Sequence, residues 1–108
     1  EDGYFYFVDR LKRMINVSGL KVWPAEVEAI LHSHPAILEA CVVGDSDPRT
    51  GERVRAVVVL NDKEKKLSKD SFIEWCGENM AHYKVPKSLE IRTNLPRGSA
   101  GKVLWKDL

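Results

Sequence analysis

The sequence predicts an α+β domain with an N-terminal β-hairpin, a small sheet, and two helices packed on one face of that sheet. Three observations predict this class. Short apolar segments of strand length alternate with two amphipathic helical segments. Gly and Pro punctuate most of the segment ends. The chain has 108 residues, which is enough for one modest core and too few for two domains.

The first strands lie in the N-terminal two dozen residues. Residues 4–8 are rich in aromatic side chains, which favour strand structure. Residues 14–17 and 20–22 flank the pair Ser18 and Gly19, which are typical of a hairpin turn. We therefore predict a strand followed by a tight hairpin.

The first helix is predicted to begin at Pro24, because proline has a helical φ and tolerates the first position. Val27, Ile30 and Leu31 then form one apolar stripe, and the helix should end before Pro35.

The second helix is predicted to begin after Ser68 as its N-cap and to end before Pro86. Leu67 should pack against Phe72 as a hydrophobic staple. The inward face of this helix is formed by Ile73, Cys76 and Met80.

Three more strands complete the predicted sheet, at residues 38–44, 54–60 and 88–92. Residues 45–51 between the first two are rich in turn formers. Residues 95–102 form a tail with much glycine and little apolar content, so we predict a loop that does not contribute to the core.

Composition excludes several classes of function. The chain has 17 basic and 16 acidic residues and a net charge of +1, so nucleic acid is not an expected partner. No apolar run reaches the roughly 20 residues of a transmembrane helix. Cys41 and Cys76 fall in apolar patterns, which predicts buried thiols in a cytoplasmic protein rather than a disulfide or metal site. The histidines also lack metal-ligand spacing; they are His32, His34 and His82.

One lysine stands out as a candidate for chemistry. Lys102 follows Gly98 and Gly101 on the predicted tail, where its ammonium could reach a phosphate or carboxylate as a point charge. The segment lacks the order of a phosphate-binding P-loop. Spacing alone favours a solvated lysine, and the residues by themselves show no complete active site.

Two separated motifs resemble those of the adenylate-forming superfamily of acyl-CoA synthetases, peptide-synthetase adenylation domains and beetle luciferases. The first comprises DGYF at residues 2–5 and DRLKRMINVSGLKVWPAEVE at residues 9–28. The second is LPRGSAGKV at residues 95–103, which is similar to the lysine loop of that superfamily. Segments between them, at 34–35, 39–44 and 83–86, match in order and spacing, so the resemblance covers essentially the whole chain.

The resemblance implies that residues 1–108 are the mobile C-terminal domain of an acyl-CoA synthetase. Such an enzyme converts a carboxylic acid and Mg-ATP to an acyl-adenylate and pyrophosphate, and CoA then displaces AMP. ATP and Mg²⁺ would be bound mainly by a larger N-terminal domain that is absent from this chain. We therefore expect that domain to be the main partner, and the fragment alone to be inactive.

The resemblance also implies roles for individual residues. Lys102 would be the catalytic lysine that bridges the carboxylate and the α-phosphate. Arg10 would contact the nucleotide, as would Lys21. Lys12 would be the hinge about which the domain rotates between half-reactions, and Gly19 would lie against the pantetheine arm of CoA.

The resemblance favours a fatty-acyl-CoA synthetase, because residues 4–12 are closest to fatty-acid ligases and their luciferase relatives. Ala100 departs from the Ser or Thr of many relatives, which leaves the subfamily open. An amino-acid-activating adenylation domain is one alternative. Another is a freestanding anion-binding module that uses a basic tail, formed by Lys84, Lys87, Arg97, Lys102 and Lys106.

Overall fold

A computed structural model describes residues 13–61, 66–98 and 103–108. The strands are β1 (Ile15–Val17), β2 (Leu20–Val22), β3 (Ile37–Asp47), β4 (Gly51–Leu60) and β5 (Ser88–Arg92). The helices are α1 (Pro24–Leu31) and α2 (Lys69–Asn79), with short 3-10 turns at His82–Lys84 and Trp105–Asp107. The predicted strand at residues 4–8 lies outside the described residues.

β4 is the central strand of a five-stranded sheet. β3 pairs with it in antiparallel orientation from Asp47 opposite Gly51 to Ile37 opposite Leu60, with a shift in register between Ile37 and Glu39. β5 pairs with β4 in parallel, and β1 meets it where Val17 lies opposite Gly51. The β1–β2 hairpin therefore joins the sheet at the end where β3 turns into β4.

Both helices begin where the sequence predicts. Pro24 opens α1 after Trp23 in extended conformation, and α1 ends at Leu31, before Pro35. The Ser68 hydroxyl accepts a hydrogen bond from the Ser71 N–H at 3.1 Å, which caps α2.

The helices pack on the same face of the sheet, as predicted. Val27 and Leu31 of α1 and Phe72 and Cys76 of α2 are fully buried in one cluster. The strand residues in this cluster include Ala40, Val42, Val54, Ala56 and Val58. This shared apolar layer is the main core, and it confirms the predicted α+β arrangement.

The opposite face of the sheet is also buried, which the sequence analysis did not anticipate. Cys41, Val43, Val57 and Val59 are covered by the C-terminal tail, in which Leu95 is only 4% exposed. Val103, Trp105 and Leu108 pack against the same cluster. The prediction that the tail does not contribute to the core was therefore wrong at Leu95. A sheet whose central strands are apolar on both faces needs cover on both.

Cys41 and Cys76 are buried free thiols, as predicted. Burial raises the pKa of Cys41 to about 12 and that of Cys76 to about 11. Over the described ranges, no helix has the length and apolar character needed to cross a membrane. The same ranges contain no cluster of three or more His, Cys, Asp or Glu side chains that could hold a metal ion.

Candidate functional site

The turn of the β1–β2 hairpin has an unusual backbone conformation. Ser18 has φ 53° and Gly19 has φ 85°, so both central residues lie in the left-handed region, as in a type I′ turn. The Gly19 N–H donates to Asn16 Oδ1 at 2.8 Å, which holds this conformation. A Cβ at Gly19 would meet no atom within 4 Å, so the backbone and not crowding within the domain favours glycine there.

Hydrogen bonds join this hairpin to the β3–β4 turn. The Ser18 N–H donates to the Thr50 carbonyl at 2.8 Å, and the Asn16 N–H donates to Glu52 Oε1 at 2.9 Å. Two turns that are far apart in sequence therefore form one continuous surface.

Asp47 shapes the β3–β4 turn. Its Oδ1 accepts from the Arg49 N–H at 2.7 Å and from the Thr50 N–H at 3.2 Å. The hydrogen bond from Arg49 is the main reason that the pKa of Asp47 lies below its usual value. The carboxylate therefore remains ionised and keeps the turn closed near neutral pH.

A cavity of about 240 Å³ lies beside the joined turns. Its apolar walls include Val17 of the hairpin and Val54 of β4. The polar residues along its lining are Asp47, Arg49, Thr50, Arg53, Tyr83 and Lys87, and of these Arg49, Arg53 and Lys87 are exposed to solvent. Among the described residues, none of the three cations forms an ion pair. The cavity is therefore suited to an anionic group with an apolar neighbour.

The structure describes two of the predicted site residues, both of them on the β1–β2 hairpin. Gly19 lies at the exposed tip of the hairpin, and Lys21 lies exposed on β2 opposite Asn16. Arg10, Lys12 and Lys102 lie outside the described residues.

The segments on either side of the predicted lysine loop are paired with each other. Arg97 and Val103 form an antiparallel bridge, and the Leu104 N–H donates to the Pro96 carbonyl at 2.8 Å. Arg97 also forms an ion pair with Glu39 of β3. The two ends of the segment that contains Lys102 are thus held side by side on the sheet.

The basic tail of the freestanding-module alternative is partly neutralised. Lys84 forms an ion pair with Glu26 at 3.3 Å, and Arg97 forms one with Glu39. Of the members of that basic tail whose side chains the structure describes, which are Lys84, Lys87 and Arg97, Lys87 lines the cavity. Arg49 and Arg53 also line the cavity and were not among the predicted site residues. The alternation of Arg53 with the inward-facing Val54 at the start of β4 could have indicated that Arg53 faces outward.

Comparison with known proteins identifies the family. The family model for the AMP-binding enzyme C-terminal domain matches residues 26–102. A crotonobetaine/carnitine–CoA ligase from Salmonella paratyphi B is 47% identical over 108 residues, which are 100% of this chain and 21% of that protein. The chain therefore spans about a fifth of the length of the curated relatives that it matches.

Solved structures agree with this family. A Mycobacterium tuberculosis fatty acyl CoA synthetase superposes with a TM-score of 0.82 at 37% identity, over 91% of this chain and 19% of that one. An o-succinylbenzoate CoA synthetase from Bacillus subtilis gives a TM-score of 0.81 at 36% identity, over 88% of this chain and 19% of that one. The two motifs, the fold and these matches agree, and the chain belongs to the C-terminal domain family of AMP-binding, adenylate-forming acyl-CoA ligases.

Proposed function

We propose that residues 1–108 are the mobile C-terminal domain of an acyl-CoA synthetase that forms an acyl-adenylate from ATP and then an acyl-CoA thioester. The observation that carries this proposal is the left-handed glycine turn beside a cation-lined cavity. An exposed turn without a side chain would suit a long arm that carries a thiol, and the neighbouring cations would suit its phosphorylated end. The rest of the ATP, Mg²⁺ and carboxylate pocket would belong to an N-terminal domain, so the fragment alone should be inactive.

In the thioester half-reaction, the hairpin would face the pantetheine arm of CoA. Gly19 has no side chain to obstruct an approaching chain, and its backbone is exposed. The cavity lies beside the same hairpin, where Arg49, Arg53 and Lys87 would bind the phosphates of CoA. The hydrogen bond between Ser18 and Thr50 would hold the hairpin that faces the arm and the cavity that binds the phosphates at a fixed separation.

In the adenylation half-reaction, Lys102 would lie between the acid and the α-phosphate of ATP. Two anions must approach within bonding distance, and one ammonium between them offsets their repulsion. Arg10 and Lys21 would contact the nucleotide. Lys12 would be the hinge that exchanges the lysine segment for the hairpin at the same pocket.

The identity of the carboxylic acid substrate is a more specific part of the proposal. Our first choice is a fatty acid. The sequence of residues 4–12 supports it, because it resembles the matching segment of fatty-acid ligases. The name of one structural relative, a fatty acyl CoA synthetase at 37% identity, also supports it. The 47% identity over the whole chain favours a second candidate, in which the acid is crotonobetaine or carnitine.

The test is acid-dependent ATP–pyrophosphate exchange by the full-length enzyme, with fatty acids of several lengths, crotonobetaine, carnitine and a set of amino acids. Exchange and CoA-thioester formation with a fatty acid support the first choice. Turnover of crotonobetaine or carnitine instead supports the second candidate, and exchange with amino acids alone contradicts both.

A further inference from the structure

Arg13 is a partly buried cation directly after the proposed hinge residue, Lys12. Its side chain is 17% exposed. Its Nη2 donates to Glu28 Oε2 of α1 at 2.5 Å and to the Val42 carbonyl of β3 at 3.3 Å. Glu28 Oε2 also accepts from the Val42 N–H at 2.8 Å. The start of the described chain is therefore fixed to both a helix and a central strand.

The guanidinium of Arg13 also contacts the C-terminal tail. Its carbon lies 5.7 Å from the ring centroid of Trp105, within the range of a cation–π contact. Its Nε–H has no acceptor among the described residues. The contacts of Nη2 and of the aromatic ring therefore position the guanidinium, although its Nε–H is not hydrogen-bonded within the described residues.

Trp105 connects this contact to the segment that carries Lys102. It lies three positions after Lys102 in the sequence and packs against the sheet cluster that contains Cys41 and Val57. Val103, next to Lys102, bridges to Arg97. Arg13 and Trp105 therefore join the two ends of the domain that adjoin the hinge and the lysine.

We propose that Arg13 is a positioning residue for Lys102, because its contacts with Glu28, Val42 and Trp105 fix the turn at Trp105–Asp107, which begins three residues after that lysine, to α1 and β3. This inference rests on the proposed function of Lys102 and Lys12. When the domain rotates, the lysine reaches the correct place in the pocket only if its segment is firmly attached to the rest of the domain. Small misplacements of a catalytic group can cost about 10²-fold in rate.

The hydrogen bonds that join the hairpin to the β3–β4 turn do not include this contact. Ser18 is held by Thr50 and Asn16 by Glu52, and neither interaction includes Arg13 or Trp105. Loosening the tail should therefore impair adenylation and leave the thioester step intact.

The test compares both half-reactions in the full-length enzyme with Arg13→Met, Trp105→Leu and the double variant. Methionine keeps an apolar stem but loses the cation, and leucine keeps apolar packing but loses the ring. We expect each single variant to lower kcat for adenylation about tenfold, with thioester formation from supplied acyl-adenylate within about twofold of wild type. If the shared Arg13–Trp105 contact is the one that matters for adenylation, the double variant should be no worse than the poorer single variant, because both single variants already lose that contact. Arg13→Lys and Trp105→Phe should recover much of the rate.

Arg55→Met is the matched control. The Arg55 side chain is 18% exposed, and its ion pairs are with Asp45 and Glu90 rather than with Glu28. It should leave both half-reactions unchanged. Equal loss of both half-reactions in Arg13→Met, additive losses in the double variant, or an adenylation defect in Arg55→Met would overturn the inference. If Arg13→Met does not fold, Trp105→Leu against Trp105→Phe decides alone. Absence of acid-dependent exchange in the wild-type enzyme would instead reject the proposed function.

Discussion

The Ser18 N–H donates to the Thr50 carbonyl at 2.8 Å, so the hairpin turn and the β3–β4 turn are fixed to one another. These turns carry the two features proposed to serve CoA, the exposed glycine and the cation-lined cavity. A change in either feature should therefore affect the thioester step without touching adenylation.

Substitutions at Gly19 can separate the effect of side-chain bulk from the effect of backbone strain. Gly19→Leu adds a bulky side chain at φ 85°, whereas Gly19→Asn adds a smaller one that tolerates the left-handed region better. A Cβ there meets no atom within 4 Å, so both variants should fold, with leucine less stable by about 1 kcal/mol or more. Thioester formation should fall strongly in the leucine variant and less in the asparagine variant. Near-identical rates for wild type and Gly19→Leu would show that no chain passes over the turn.

The cavity predicts recognition of phosphate. Lys87→Met in the full-length enzyme should raise KM for CoA about tenfold and leave ATP–pyrophosphate exchange unchanged, because one charge-assisted contact is lost. Measuring KM for dephospho-CoA in parallel identifies which phosphate is bound: if it is the 3′-phosphate, the variant should not weaken dephospho-CoA further. Lys69→Met, at an exposed position on α2, is the control. An unchanged KM for CoA in Lys87→Met would remove the cavity from the CoA site.

The buried thiols should be inert at neutral pH. Burial raises the pKa of Cys41 to about 12 and of Cys76 to about 11, from 9.0, so neither is a thiolate in the folded domain at pH 8. Because the folded state holds these protons more tightly, their contribution to stability is present below about pH 9 and is lost as pH rises through 11 and 12. Thiol-reagent labelling followed by peptide mass spectrometry should mark both residues only after denaturation. Rapid labelling in the native protein at pH 8 would contradict their burial.

The tail should contribute to stability. Leu95 is 4% exposed on the second face of the sheet, so Leu95→Ala should lower the free energy of unfolding by about 2–3 kcal/mol. Leu38 is 59% exposed, and Leu38→Ala should change the free energy of unfolding by less than about 0.5 kcal/mol. Denaturant unfolding of the two variants checks this difference, and equal effects would mean that the tail does not cover the sheet.

Local signals in the sequence predicted much of the fold. Pro24 and Ser68 have direct roles at the helix starts, and Ser18 with Gly19 matches a specific turn type, so these features follow from nearby residues alone. β5 was also predicted, at residues 88–92, although its parallel pairing with β4 was not. Pairing direction depends on where the intervening helix leads the chain, which a short strand pattern does not encode.

Features that need distant segments were not predicted. The strands β3 and β4 extend to Asp47 and Gly51 because they pair with each other beyond the predicted ends at residues 44 and 54. The cavity requires three separate segments, at Val17, at residues 47–54 and at residues 83–87, so no local spacing indicates it. The burial of Leu95 is not evident from its glycine-rich neighbours, because its apolar partners lie on β3 and β4, 36 to 54 residues earlier in the chain. For Lys102, the resemblance and not the residue spacing supplied the hypothesis.

The most direct test of the proposed division of labour is to measure both half-reactions in Lys102→Ala and Gly19→Leu of the full-length enzyme. Pyrophosphate exchange should fall by about 10²-fold or more in Lys102→Ala, while thioester formation from supplied acyl-adenylate continues. Gly19→Leu should show the reverse pattern. Equal loss of both activities in both variants, with the fold intact by circular dichroism, would contradict the account.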